Sequence, residues 1–67
     1  MKLSPTKLKV LTLVAKGFTD KEISQQLQMS TRTIQTHLNS IVLALNAKNR
    51  THAVALYKHY HPKWDIF

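Results

Sequence analysis

Thr19-Asp20-Lys21-Glu22-Ile23-Ser24-Gln25-Gln26-Leu27, the break Gln28-Met29-Ser30, and Thr31-Arg32-Thr33-Ile34-Gln35-Thr36-His37-Leu38 decide the fold of this chain. The first nine residues predict a short helix. Thr19-x-x-Glu22 is a capping box, in which the hydroxyl and the carboxylate each satisfy an orphan backbone N–H, and Phe18 is placed to staple onto Ile23. Ile23 and Leu27, four apart, form its buried edge, while Lys21, Gln25 and Gln26 face water. Ser30 then caps a longer helix running to about Leu45. Its Ile34, Leu38, Ile41 and Leu45 follow an i, i+4, i+7, i+11 pattern, a narrow seam towards a core. The opposite face carries Arg32, Gln35, Thr36, Asn39 and, at an edge, Ser40.

Two helices joined by a three-residue turn, the second polar near its start, form the layout of a DNA-reading helix-turn-helix. Two further helices flank it. Ser4 as N-cap and Pro5 in the first helical position, where a missing N–H costs nothing, start helix 1. It runs to about Lys16, with Leu8, Val10, Leu11, Val14 and Ala15 inward and Gly17 set to close it in the left-handed conformation. Asn46-Ala47-Lys48-Asn49 is a loop, and Asn49 caps a fourth helix from about Arg50 to Tyr60. His61 marks its end, since Pro62 disfavours helical geometry in the residue before it. Ala53, Ala55 and Leu56 are expected to pack on helix 1. The tail Lys63-Trp64-Asp65-Ile66-Phe67 is rich in large apolar residues, so it either folds back or meets a partner. No strand-like alternation, repeat or low-complexity tract interrupts this pattern. The expected fold is therefore all-α: four helices at about 4–16, 20–27, 30–45 and 50–60, with a tail at 61–67, forming a single domain over residues 1–67.

Ten Lys and Arg stand against three acids in these 67 residues, a net charge of +7, and no acid lies between Glu22 and Asp65. That asymmetry suits a polyanion. There is no Cys, hence no disulfide staple, and a chain this short buries only roughly 60% of its unfolded surface. No apolar run approaches the roughly 20 residues of a membrane span, and Met1-Lys2-Leu3 does not open a signal peptide, so a cytoplasmic location is expected. No catalysis is expected either. No nucleophile sits beside a base, no carboxylate pair lies in an apolar setting, and Ser24 and Ser30 have only distant histidines. His52 and His59, seven apart, share a helix face, but two histidines without an acid or Cys make a poor ligand set; no metal and no cofactor are expected.

Leu3-Ser4-Pro5, Val10-Leu11, Val14 to Thr19, Lys21 to Ser24, Leu27, Ser30, Thr33-Ile34, His37-Leu38, Ile41, Leu45 and Asn49 to Val54 together resemble the LuxR-type (GerE-like) tetrahelical helix-turn-helix domain. The resemblance covers about residues 3 to 60, and its K-E-I, S-x-x-T-[VI]-x-x-H-[LIV] and N-R-T-x-A spacing is specific. It implies a bacterial transcription regulator that reads the major groove of double-stranded DNA with helix 3 and pairs as a weak homodimer through helix 4 on an inverted repeat. Carried over position by position, Gln35, Thr36 and Asn39 fall where family members touch base edges. Thr33, His37 and Arg32 fall where the helix start approaches phosphates; Lys21, Lys48 and Arg50 join them as backbone contacts. Gln and Asn pair bidentately with adenine and the Thr36 methyl suits a thymine methyl, which leans the set towards A·T-containing half-sites. Three positions depart from the pattern. Lys7 replaces a frequent Glu and puts positive charge in the first turn of helix 1, unfavourable by roughly 0.3–1 kcal/mol at an exposed site. Gln28 replaces a frequent Gly in the turn, and Ala44 a common Lys. Family members usually carry a sensing module before this domain, so the chain is either a stand-alone regulator or an excised domain.

Each singled-out residue has a plainer reading. Lys21, Arg32 and Lys48 read alone are solvated surface charges, Arg50 serves the helix 3 to helix 4 loop as readily as DNA, and His37 beside Leu38 suits a half-buried structural role. Val54, Tyr57, Lys58 and His61 form an outer stripe of helix 4, either ordinary surface or the dimer face that the resemblance implies. A rival function keeps the shape and changes the partner: a protein-interaction module acting on another regulator or RNA polymerase. A basic membrane-surface peptide fits poorly, because the Gln, Thr and Asn face of helix 3 is neutral.

Overall fold

The computed structural model describes residues 2–66. Four helices follow in order: α1 (Pro5–Ala15), α2 (Asp20–Leu27), α3 (Thr31–Leu45) and α4 (Arg50–Tyr60). Each start is closed by the side chain that the sequence supplies. Ser4, Thr19, Ser30 and Asn49 accept hydrogen bonds from the backbone N–H groups of Lys7, Glu22, Thr33 and His52. The capping box on α2 is complete: the Thr19 N–H donates to Glu22 Oε1 at 2.9 Å and the Glu22 N–H to Thr19 Oγ1 at 3.2 Å.

The helix ends explain the turns. Lys16 is the C-cap of α1, and Gly17 follows at φ 94° with Phe18 N–H returning to the Leu13 carbonyl at 3.1 Å. The same six-residue closure ends α2 and α3, with Gln28 at φ 56° and Asn46 at φ 54° in the left-handed position. Gln28 thus holds a side chain where glycine carries no steric penalty. That turn links α2 to α3, which pack against each other.

α3 is the central element and packs on all three others. Its seam residues Ile34, Leu38, Ile41 and Leu45 are buried together with Leu3, Val10, Leu11, Ile23, Ala53, Tyr57 and Trp64. Leu8, Val14, Ala15, Phe18, Leu27 and Leu56 pack half-buried around this core. Ala55, expected against α1, is exposed instead; the inward side of α4 is set by Ala53 and Tyr57, four apart.

The tail folds back. Trp64 is buried, its ring edge-on to Tyr57 at 4.9 Å, and its Nε1–H donates to Thr12 Oγ1 at 3.0 Å. The Thr12 hydroxyl in turn donates to the Leu8 carbonyl at 2.7 Å, so a polar group on the otherwise apolar side of α1 is fully used. Lys58 Nζ donates to the carbonyls of Pro62 and Trp64, at 2.8 and 2.7 Å, tying the returning segment to α4. Ile66 is half-buried, and Phe67 lies outside the described residues.

Candidate nucleic-acid interface

Helical spacing sets two stripes on α3. Residues 34, 38, 41 and 45 form the buried seam, and residues 32, 36, 39 and 43, at the same i, i+4, i+7, i+11 intervals, point the other way. Arg32, Thr33, Gln35, Thr36, Asn39 and Ser40 are all exposed, so the structure brings the expected reading residues onto one accessible face; His37 lies half-buried at its edge. The Thr36 hydroxyl donates to the Arg32 carbonyl one turn back, at 3.0 Å. That bond uses the hydroxyl's one donor and leaves its oxygen able to accept. Thr33 is held at the helix start, its Oγ1 2.9 Å from Ser30 Oγ.

Leu43 continues the outer stripe and is 80% exposed, an apolar side chain in line with Arg32, Thr36 and Asn39. The sequence reading passed over it, although the spacing that located Asn39 locates Leu43 one turn further on. From Thr33 to Ala47 α3 and its cap carry no Lys, Arg, Asp or Glu. Positive charge is therefore supplied to this face from its margins.

Lys21 and Lys48 are exposed, on α2 and in the loop before α4. Arg50, at the first position of α4, forms a two-pronged ion pair with Asp20, the first residue of α2: Nη1 meets Oδ1, and Nη2 meets Oδ2 at 3.1 Å. The structural role read from the sequence was to hold the helix 3 to helix 4 loop; the pair instead ties α4 to α2. The Arg50 guanidinium holds the Asp20 carboxyl below its ordinary value, outweighing the upward push of burial, with the Gln35 side chain a lesser contributor to the same effect. Arg50 is held above its own ordinary value by the same contact. The Thr19 backbone and hydroxyl likewise lower Glu22. Of the two acids on α2, Asp20 is paired with a cation, whereas Glu22 is held by hydrogen bonds that leave its charge in place. Asp20 had entered the sequence reading only as a charge, and nothing local points to a partner 30 positions away.

The α4 stripe requires a correction. Tyr57, expected on an outer dimer face, is only 4% exposed: Trp64 covers it edge-on, and His61 stacks on it at 4.3 Å. Its neighbours on that stripe keep some surface, Val54 and His61 half-buried and Lys58 exposed. On α1, the end of α2 and the tail, an open groove of about 530 Å³ is lined by Leu8, Thr12, Leu13, Leu27 and Trp64 among others, with no α3 residue. Among the described residues no group of three His, Cys, Asp or Glu is placed to hold a metal ion, and no helix is long and apolar enough to cross a membrane.

A capped short helix, a left-handed turn and a longer helix with a buried seam and an open polar face, braced by two further helices, define a tetrahelical helix-turn-helix domain. The chain belongs to the GerE family, bacterial regulatory proteins of the luxR family, whose pattern matches residues 1–57. It is 39% identical over 57 residues to the transcriptional regulatory protein LiaR of Bacillus subtilis, covering 85% of this chain and 26% of that protein. Against the transcriptional regulatory protein ComA of the same organism it is 43% identical over 56 residues, 84% of this chain and 26% of ComA. The putative HTH-type transcriptional regulator YhjB of Escherichia coli is 41% identical over 54 residues, 81% of this chain and 27% of YhjB. The chain thus spans about a quarter of the length of the curated relatives that it matches.

Proposed function

We propose that this chain is a sequence-specific, DNA-binding transcription regulator that inserts α3 into the major groove. The observation that carries the reading is the outer face of α3, where Gln35, Thr36 and Asn39 stand exposed together on a helix whose other side is locked into the core. Gln35 and Asn39 supply paired donors and acceptors for adenine edges, and Thr36, its hydroxyl proton donated to the Arg32 carbonyl, supplies a methyl. Arg32, Thr33, His37, Lys21, Lys48 and Arg50 surround this set as backbone contacts, where charge provides affinity and register but little sequence information. Family membership and the names of the relatives support the same reading.

The chain acts as a weak homodimer on an inverted repeat, in the cytoplasm at the nucleoid. The dimer contact runs along the accessible edge of α4 at Val54, Lys58 and His61. The domain occupies all of residues 1–67, works without a cofactor, and catalyses nothing. Binding-site selection from random duplexes, followed by titration at two salt concentrations, tests this. Enrichment of an A·T-containing inverted repeat is expected. Gln35→Ala and Asn39→Ala should each weaken binding to it by about 1–3 kcal/mol, roughly five- to 150-fold. Tighter binding with G at the contacted positions would sink the assignment of readers. Absence of any salt-sensitive binding would sink the DNA reading, and would favour docking of a protein partner in the α1–Trp64 groove.

A further inference from the structure

The Asp20–Arg50 pair has more capacity than a staple uses. A guanidinium offers five N–H donors in a rigid fork. The pair consumes one on each terminal nitrogen and leaves three. The Arg50 side chain is 40% exposed and that of Asp20 21%, so the acid is the inner partner and the guanidinium the outer one. Arg50 also stands at the N-terminus of α4, the positive end of the helix dipole, where a free cation is disfavoured. Asp20 stands at the N-terminus of α2, where an anion is favoured, and is flanked by exposed Lys21. Both helices that carry the pair, α2 and α4, pack against α3, and the Gln35 side chain on α3 adds to the lowering of the Asp20 carboxyl.

We propose that Asp20 is a positioning residue for DNA binding: its two oxygens grip the Arg50 guanidinium so that the remaining N–H groups meet a backbone phosphate at the edge of the α3 face. This rests on the DNA-binding reading above. An acid so placed costs some repulsion of the phosphate and is repaid only through the cation that it orients. Coulomb's law alone says that neutralising Asp20 tightens binding to DNA; positioning says that it loosens binding.

The 67-residue chain and its variants are titrated by fluorescence anisotropy against the selected duplex between 50 and 200 mM salt. Asp20→Asn is expected to bind roughly threefold to tenfold more weakly despite its extra positive charge. Its slope of log Kd against log salt should fall by about 0.9, the value of one phosphate contact, which shrinks the change across that salt range by roughly 3.5-fold. Arg50→Ala should lose the same slope, and the double variant should lose no more than Arg50→Ala alone. Asp20→Asn that binds as tightly as the parent, or that melts lower with an unchanged slope, overturns the proposal and leaves Asp20 a brace between helices. Should Asp20→Asn fail to fold, Arg50→Ala decides, an unchanged slope again overturning it. Parent chain that shows no salt-sensitive binding removes the DNA reading as well, whereas salt-sensitive parent binding with unaltered variant slopes removes only this proposal.

Discussion

The outer stripes of α3 and α4 look alike in the sequence and differ in the folded chain. Each is a run of mixed residues at helical spacing, opposite an apolar seam. On α3 the stripe from Arg32 to Leu43 stays open to solvent. On α4 the corresponding stripe carries the tail: Trp64 and His61 lie against Tyr57, and Lys58 is tied to the carbonyls of Pro62 and Trp64. Periodicity says which side of a helix must be buried; it does not say that the other side is free. An aperiodic segment can cover it, and six residues suffice here.

The contrast is most severely tested at Trp64. Trp64→Ala should cost about 3–5 kcal/mol, because it removes a buried ring and leaves a void beside Tyr57. Urea or thermal unfolding followed by circular dichroism reads this directly. A loss under about 1 kcal/mol would mean that the tail only rests on α4. The open stripe should respond oppositely. Asn39→Ala, which so strongly affects DNA binding in the proposed reading, should change unfolding free energy by no more than about 0.5 kcal/mol. A large destabilisation there would show that the α3 face is structural.

Acid provides a smaller and selective perturbation. The Asp20 carboxyl is lowered in the fold relative to its ordinary value of 3.8, chiefly by Arg50. Its contribution is therefore fully present above about pH 5 and is lost as pH falls below 4 through the depressed folded value. The pair is partly exposed, so the effect is modest, about 1 kcal/mol or less. The difference in stability between the parent chain and Asp20→Asn should shrink across that range, and a difference independent of pH would dissociate it from the ion pair. A further effect, of opposite sign, is expected at the turn. Gln28→Gly relieves a side chain at φ 56° and should stabilise the chain by about 0.5–1 kcal/mol, which denaturant midpoints resolve.

How much was legible follows from what is local. Every helix start was readable, since Ser4, Thr19, Ser30 and Asn49 are capping residues whose partners lie three positions away. The α3 seam and its opposite face were readable for the same reason: both follow from one helical period. The ends at Gly17 and Gln28 were also accessible, one from residue type and one from its place in the turn. What escaped is non-local. Asp20 and Arg50 are 30 residues apart, Thr12 and Trp64 are 52 apart, and no short-range signal joins either pair. Tyr57 was misassigned because it lies on the inward side of α4 with Ala53, four residues earlier, and Trp64 adds to its cover once the chain has turned at Pro62. Ala55 was misassigned for a lesser reason, since small size permits close packing without requiring it.

The bond between Thr12 and Trp64 bears on where this domain can be cut. The family pattern stops at residue 57, seven positions short of the indole that covers Tyr57 and donates to Thr12. A fragment trimmed to the matched residues would bare an aromatic ring, leave the Thr12 hydroxyl without its indole partner, and lose Lys58 together with the carbonyls that it grips. The contacts that close this domain thus extend past the residues that match the family pattern.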